Sequence, residues 1–326
     1  MNNQYRAVDM HCDTISGIWK AAQEGCQLAL RTNDMHIDLQ KLRKGGYLLQ
    51  NFAMFVFKED GRDPLVSLLE LIDTYYTELR ANADLLAPVL KFEDIAANDA
   101  AGKLSALLTM EEGAPLKGNP AILRMMYELG VRMIALTWNF ENEIGYPNTV
   151  VRAKDYDPSK KYGLKEAGIE IVREMNRLGM IVDVSHLSDD GFWDVVKYCD
   201  APFVASHSNS RAMCSHTRNM TDEMIRALAD KGGVMGINFC GEFLNPNGSS
   251  RAQDMVRHIQ HIRDVGGVDC IGLGTDYDGI GGKLEISNAS EIGKLAAALE
   301  KAGFHEREIE AIFSENVLRV YREVLK

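Results

Sequence analysis

The sequence predicts an α/β fold, a closed (β/α)8 barrel of the TIM type with long loops at the C-terminal face of its strands. Three observations predict it. Short apolar or β-branched runs recur along all 326 residues, amphipathic stretches of helical period separate them, and eight such units fit in the chain. The composition supplies the core such a barrel needs, with 46% hydrophobic and 25% charged residues and 8 prolines.

The first run, Tyr5 to Met10, ends in His11-Cys12-Asp13. The second is Tyr47 to Phe57, and the third, Leu104 to Met110, ends in Glu111. The fourth, Val131 to Thr137, leads into Trp138-Asn139. The fifth, Met180 to Val184, ends in Ser185-His186, and the sixth, Pro202 to Ala205, in Ser206-His207. The seventh is Gly233 to Asn238, and the eighth, Cys270 to Gly274, ends in Thr275-Asp276. Helical patterns fill the gaps at Pro64 to Leu86, Pro120 to Leu129, Gly163 to Leu178, Asp189 to Cys199, Met220 to Lys231, Arg251 to Val265 and Ala289 to Ala302. A charged amphipathic helix, Glu306 to Lys326, follows them. Ser188-Asp189-Asp190 and Thr221-Asp222-Glu223 carry N-cap chemistry. An open doubly wound sheet is the alternative, but no Gly-rich phosphate turn follows the first strand. No linker or low-complexity stretch divides the chain, so one domain over residues 1–326 is expected. A barrel of this type needs about 250 residues. The surplus is expected in loops at Lys58 to Asp63, Phe140 to Tyr162, Ser208 to Asn219, Gly241 to Ser250 and Tyr277 to Asn288.

The net charge of −11 argues against nucleic acid or an anionic membrane as partner. The start, Met1-Asn2-Asn3-Gln4-Tyr5-Arg6, is polar rather than the apolar core of an export signal, and the end has neither an anchor tail nor a span. The six cysteines form no CxxC pair and read as reduced thiols. A cytoplasmic location and a homodimer are the corresponding expectations.

The chemistry lies in where polar residues fall. His11, Asp13, Glu111, His186, His207 and Asp276 all sit at the carboxyl ends of predicted strands, where barrel active sites are built. His11 and Asp13 are two apart on what reads as extended chain, so both side chains point into the barrel mouth. His186 and His207 end successive strands and should lie side by side. Any one of them alone would read as a hydrogen-bonded structural residue. Their joint placement favours metal binding. Imidazole and carboxylate donors suit zinc and similar ions, and Glu111 could bridge two ions about 3.5–4 Å apart. His36, His258, His261 and His305 fall in helical or loop context. His258 and His261 share a helix face without an HExxH-type acid and are expected to be solvated.

Val8-Asp9-Met10-His11-Cys12-Asp13, Leu108-Thr109-Met110-Glu111-Glu112-Gly113 and Asp183-Val184-Ser185-His186 resemble the membrane (renal) dipeptidase family, the M19 peptidases of the amidohydrolase superfamily. The most specific match is Ala201-Pro202-Phe203-Val204-Ala205-Ser206-His207-Ser208, with Cys214 and Thr217-Arg218-Asn219 after it. Ile271-Gly272-Leu273-Gly274-Thr275-Asp276-Tyr277-Asp278-Gly279 closes a similarity that runs in order over nearly the whole chain. The resemblance implies a binuclear zinc dipeptidase that attacks the amide through a metal-bridging hydroxide. It implies that His11 and Asp13 hold one ion, that His186 and His207 hold the other, and that Glu111, favoured over Glu112 by its strand-end position, bridges them. It further implies Asp276 as proton shuttle and Arg218 as the grip on the free C-terminal carboxylate of a dipeptide. Asp276 is preferred to Asp278 because it directly follows the strand.

Two positions depart from the family's mammalian members. Trp138 replaces a histidine that meets the scissile carbonyl, and Cys240 replaces a tyrosine. Both bear on substrate choice, and Trp138 is expected to touch substrate. Two readings compete: another superfamily hydrolase, acting on an N-acyl amino acid, lactone or phosphoester, and a barrel that binds metal without turnover.

Overall fold

The computed structural model describes residues 4–326, so Met1 to Asn3 of the polar start lie outside the described residues. Nine parallel strands form one sheet. In chain order they are β1 (Ala7–Asp9), β2 (Tyr47–Phe55), β3 (Leu86–Pro88), β4 (Leu104–Glu111), β5 (Val131–Ala135), β6 (Ile181–Asp183), β7 (Val204–Ala205), β8 (Val234–Ile237) and β9 (Ile271–Leu273). Neighbours run β2-β1-β9-β8-β7-β6-β5-β4, and pairing of β2 with β4 closes eight of them into the expected barrel. These strands read as unbroken apolar runs because inner layers and outer helices cover both faces.

The ninth strand is an addition. β3 pairs with the first residues of β4, on the edge that β5 takes higher up. The sequence pattern runs a helix through to Leu86, whereas the helix Pro64–Ala81 stops at Asn82 and the chain turns into β3. The helices Thr14–Gln23, Leu39–Gly45 and Glu93–Ala100 were likewise not expected. The two expected caps are present: Ser188 accepts from Gly191 N and Thr221 from Met224 N.

The C-terminal helix differs from one continuous run. Glu306–Glu310 passes through a π-helical turn, Ala311–Glu315, before Asn316–Val324. The last segment plugs the N-terminal end of the barrel. Val317, Val320, Tyr321 and Val324 pack against Val8, Leu49, Leu107, Ile181, Val204 and Val234, and Asn51 Nδ2 donates to the Tyr321 hydroxyl at 2.7 Å. Each such fully buried apolar side chain contributes roughly 1.5–3 kcal/mol relative to exposure. The opposite, C-terminal end is left open. There Phe55, Glu111, Ala135 and Asp183 share one level of the sheet register.

Candidate active site

The six strand-end residues converge at that open end. Glu111 occupies the centre. Its Oε2 lies 3.4 Å from His11 Nε2, while its Oε1 lies 3.1 Å from His186 Nε2 and 3.5 Å from His207 Nε2. His11 Nε2 is also 3.3 Å from Asp13 Oδ2 and 4.0 Å from Asp276 Oδ1. The two carboxylate oxygens of Glu111 therefore face different histidines, Oε2 towards His11 and Oε1 towards His186 and His207. His186 and His207 do stand side by side, with their Nε2 atoms 3.1 Å apart. Asp13 gets there by a different route from the extended one expected. It is the residue from which the helix Thr14–Gln23 starts, and that turn swings its carboxylate back towards His11.

The donor set fits metal ions. His11, Glu111 and His207 form one group able to hold an ion, and His11, Asp13 and Asp276 form another. His11 Nε2 and Asp13 Oδ1 are buried without a hydrogen-bond partner, an arrangement that normally costs stability and that a metal ligand would explain. His207 Nδ1 meets Ser206 Oγ at 2.7 Å, and His186 Nδ1 meets Asn139 Oδ1 at 3.0 Å. These outer partners leave both Nε2 atoms free to act as ligands. Burial holds His186 down at about 3, with Arg218 adding to it, and burial with the nearby His11 keeps His207 well below its usual value; both are neutral imidazoles. Burial lifts Asp13 to about 6, with Glu111 adding to it, and lifts Asp276 to about 7. For Glu111 burial works upwards too, but His11, His186 and His207 outweigh it and hold the carboxyl well below its usual range.

Backbone strain gathers here. Glu112, His186, Asp276 and Asp278 have φ of 87°, 67°, 60° and 70°, a left-handed conformation uncommon for such residues and typical of functional sites. Glu112 turns away from the centre. Its carboxylate accepts from Trp138 N at 2.8 Å, Ala114 N at 2.7 Å and Asn142 Nδ2 at 2.5 Å, so it braces a loop. Asp278 is braced likewise by Thr14 Oγ1 at 2.6 Å and His36 N at 2.7 Å. Asp276 instead faces the centre, with Asn238 Nδ2 donating to its Oδ2 at 2.8 Å. Gly279 completes this corner. A Cβ there would meet Asp13 Oδ2 at 2.2 Å and Asp276 Oδ1 at 2.6 Å, so only glycine leaves both carboxylates in place.

Arg218 reaches in from the loop after β7 and is buried. Nη1 donates to Ser208 Oγ at 3.3 Å and Nη2 to His207 O at 3.1 Å, while Nε has no partner. Its guanidinium stacks over Phe243 at 5.4 Å. Trp138 stands 5.9 Å from the His186 ring. A cavity of about 460 Å³ lies over the site, lined among others by Asp13, Glu111, Trp138, His186, Cys240 and Asp276. That volume suits a small molecule.

Sequence reasoning missed the supporting residues. Asp9 accepts from Thr275 N at 2.9 Å and Thr275 Oγ1 at 2.7 Å; Asp183 accepts from Ser206 N at 2.9 Å and Ser206 Oγ at 2.5 Å. In each case a buried strand aspartate holds the hydroxyl residue that precedes a site residue on another strand. The signal was a carboxylate inside an apolar run. The expectation that His258 and His261 are solvated fails for His258, while His261 is half-buried. His258 is fully buried, accepting from Ser210 N at 3.1 Å and donating to Leu244 O at 3.0 Å, and His261 lies 2.7 Å from Asp222.

Fold and site together define a metal-dependent hydrolase built on a parallel barrel. The chain belongs to the membrane dipeptidase family, peptidase family M19, whose pattern it matches over residues 1–326, and it is by that membership a metallo-dipeptidase. It is 34% identical over 305 residues to an uncharacterized dipeptidase of Schizosaccharomyces pombe, covering 88% of this chain and 72% of that one. Among solved structures it resembles the metallo peptidase dipeptidase AC of family M19, with a TM-score of 0.89, 26% identity and 98% and 99% of the two chains covered. A Rhodobacter sphaeroides metallo peptidase, liganded with a phosphinate mimic of the dipeptide L-Ala-D-Ala, matches with the same TM-score and coverage at 25% identity. Among the described residues no helix is long and apolar enough to cross a membrane.

Proposed function

We propose that this metallo-dipeptidase cleaves the amide bond of dipeptides bearing a free C-terminal carboxylate, using two divalent ions of which zinc is the expected species. His11 and Asp13 would hold one ion, His186 and His207 the other, and Glu111 would touch both. The observation that carries this reading is the division of Glu111, Oε2 towards His11 and Oε1 towards the His186–His207 pair. Bound there, such ions supply Lewis acidity towards the amide carbonyl and ionise a water near neutral pH.

The protein's own groups do the rest. Asp276, oriented by Asn238, lies within reach of the His11 side and accepts the proton of the attacking water, then hands it to the leaving amine nitrogen. Arg218 is buried with Nε unpartnered and offers a planar fork to the substrate carboxylate. Trp138 has no ring acceptor for a proton and serves as a wall. The phosphinate ligand of the Rhodobacter sphaeroides relative supports a substrate of dipeptide size. A reducing compartment, the cytoplasm, is the proposed location, since all six cysteines are free thiols.

The test is turnover by zinc-loaded protein on L,L and L,D dipeptides beside N-acyl amino acids, lactones and phosphoesters. Dipeptides should lead, and Asp276→Asn should keep both metals while turnover falls by roughly 10²–10⁴. Faster turnover of an N-acyl amino acid, lactone or phosphoester would move the assignment to another hydrolase of the superfamily.

A further inference from the structure

The two sides of the barrel mouth differ in kind. Following the sheet order, Arg218 comes from the loop after β7, which lies between β6 and β8. Phe55 ends β2, four strands away on the opposite side of the barrel, and Trp138, from the loop after β5, packs onto Phe55. That far side is aromatic. Trp138 lies 4.9 Å from Phe55, 5.7 Å from Phe57 and 5.2 Å from Phe140, and Phe57 lies 5.1 Å edge-on from Phe140. Phe57 is 44% exposed, among the few large apolar side chains of the described residues left open to solvent. A second cavity, of about 640 Å³, shares Asp13, Phe55 and Gly279 with the metal-site cavity and is further lined by Trp19, Val56 and Phe57. Four charged groups at this cavity, Lys20, Glu24, Asp60 and Arg62, are exposed and balanced in sign. The other two are the shielded carboxylates of Asp13, beside His11, and Asp278, held by Thr14 and His36. Arg62 is further tied to Glu70 and stacked on Trp19.

A dipeptide whose carboxylate rests on Arg218 and whose amide lies over Glu111 must send its N-terminal residue towards this aromatic side. We propose that the aromatic cluster of Phe55, Phe57, Trp138 and Phe140, whose first three members line the two cavities, selects substrates whose N-terminal residue carries a bulky apolar side chain, aromatic above all. The inference rests on the dipeptidase reading and on Arg218 as carboxylate grip. Its physical basis is twofold. A large side chain removes the open face of Phe57 from water, and offset or edge-on ring contacts reward an aromatic over an aliphatic group. The exposed charges balance in sign, and the Asp13 and Asp278 carboxylates already face His11 and the Thr14–His36 pair, so an acidic or basic side chain gains no comparable reward.

The experiment compares kcat/KM for X-Ala and Ala-X dipeptides, with X as Phe, Leu, Gly, Asp or Lys, on zinc-loaded enzyme. Phe-Ala should exceed Gly-Ala by about 10- to 100-fold, the range expected for burying one such side chain. Ala-Phe should exceed Ala-Gly by only a few-fold. In Phe57→Ala the Phe-Ala to Gly-Ala ratio should drop at least about fivefold, and Phe57→Leu should restore part of it. Dipeptide turnover with a flat profile, or with the preference at the C-terminal position, would overturn this inference and leave the dipeptidase reading standing. Turnover of no dipeptide would overturn both.

Discussion

A single hydroxyl joins Asp183 to His207. Ser206 Oγ donates to Asp183 Oδ2 at 2.5 Å and lies 2.7 Å from His207 Nδ1, so a buried carboxylate sets the tautomer and aim of a ligand one strand away. Removing the hydroxyl with Ser206→Ala should weaken the ion at the His186–His207 side by roughly 10- to 100-fold and leave the His11–Asp13 side unchanged. Chelator competition measures this. Equal affinities in the parent and the variant would show that His207 needs no such support.

Arg218 should read substrate length. Its two bonds inside the protein leave Nε unpartnered, so a free carboxylate gains charge-assisted contacts that a C-terminal amide lacks. Dipeptides should outrun their C-terminal amides by at least about tenfold in kcat/KM, roughly 1.4 kcal/mol. Arg218→Met should erase the difference, and Arg218→Lys should restore little of it, because a point charge cannot reproduce the fork. Equal rates on acid and amide in the parent enzyme would remove Arg218 from the carboxylate.

His258 should make stability fall in acid. Burial, ahead of its neighbours, holds its pKa at about 4 against an ordinary 6.5, and its ring bridges Ser210 and Leu244. Between those values the unfolded chain binds the proton and the folded chain does not. Its contribution is therefore complete above about pH 6.5 and is lost as pH falls towards 4. At about 1.4 kcal/mol per pKa unit, the full loss is of the order of 3 kcal/mol. Unfolding in denaturant across pH 4 to 7 checks this: His258→Gln, which cannot titrate, should show a flatter acid limb. Parallel limbs would contradict it.

The barrel was legible because parallel strands with both faces covered write themselves as apolar runs, and all eight runs became barrel strands. The site was legible for the same reason: a polar residue that ends such a run stands out. Legibility failed where a signal depended on packing. Leu86-Ala87-Pro88 is too short to separate from the preceding helix, and it becomes a strand only because the start of β4 has a free edge. His258 follows Arg257 and is itself polar, but it lies a turn from Met255 and Ile262 on the buried face of Ala252–Gly266, and that packing turns its ring inward. The bracing roles of Asp9 and Asp183 depend on Thr275 and Ser206, partners distant in sequence that only the fold brings together. Asp13 was correctly placed in the mouth, but a helix start rather than an extended strand takes it there.

Metal content tests the division of Glu111 between two donor groups most directly. Protein saturated with zinc and freed of excess should hold close to two ions per chain by elemental analysis. The double variant His186→Ala with His207→Ala should hold close to one, because Oε1 would lose both partners while Oε2 keeps His11 and Asp13 beside it. Two ions retained in that variant, or a single ion in the unaltered protein, would contradict the account.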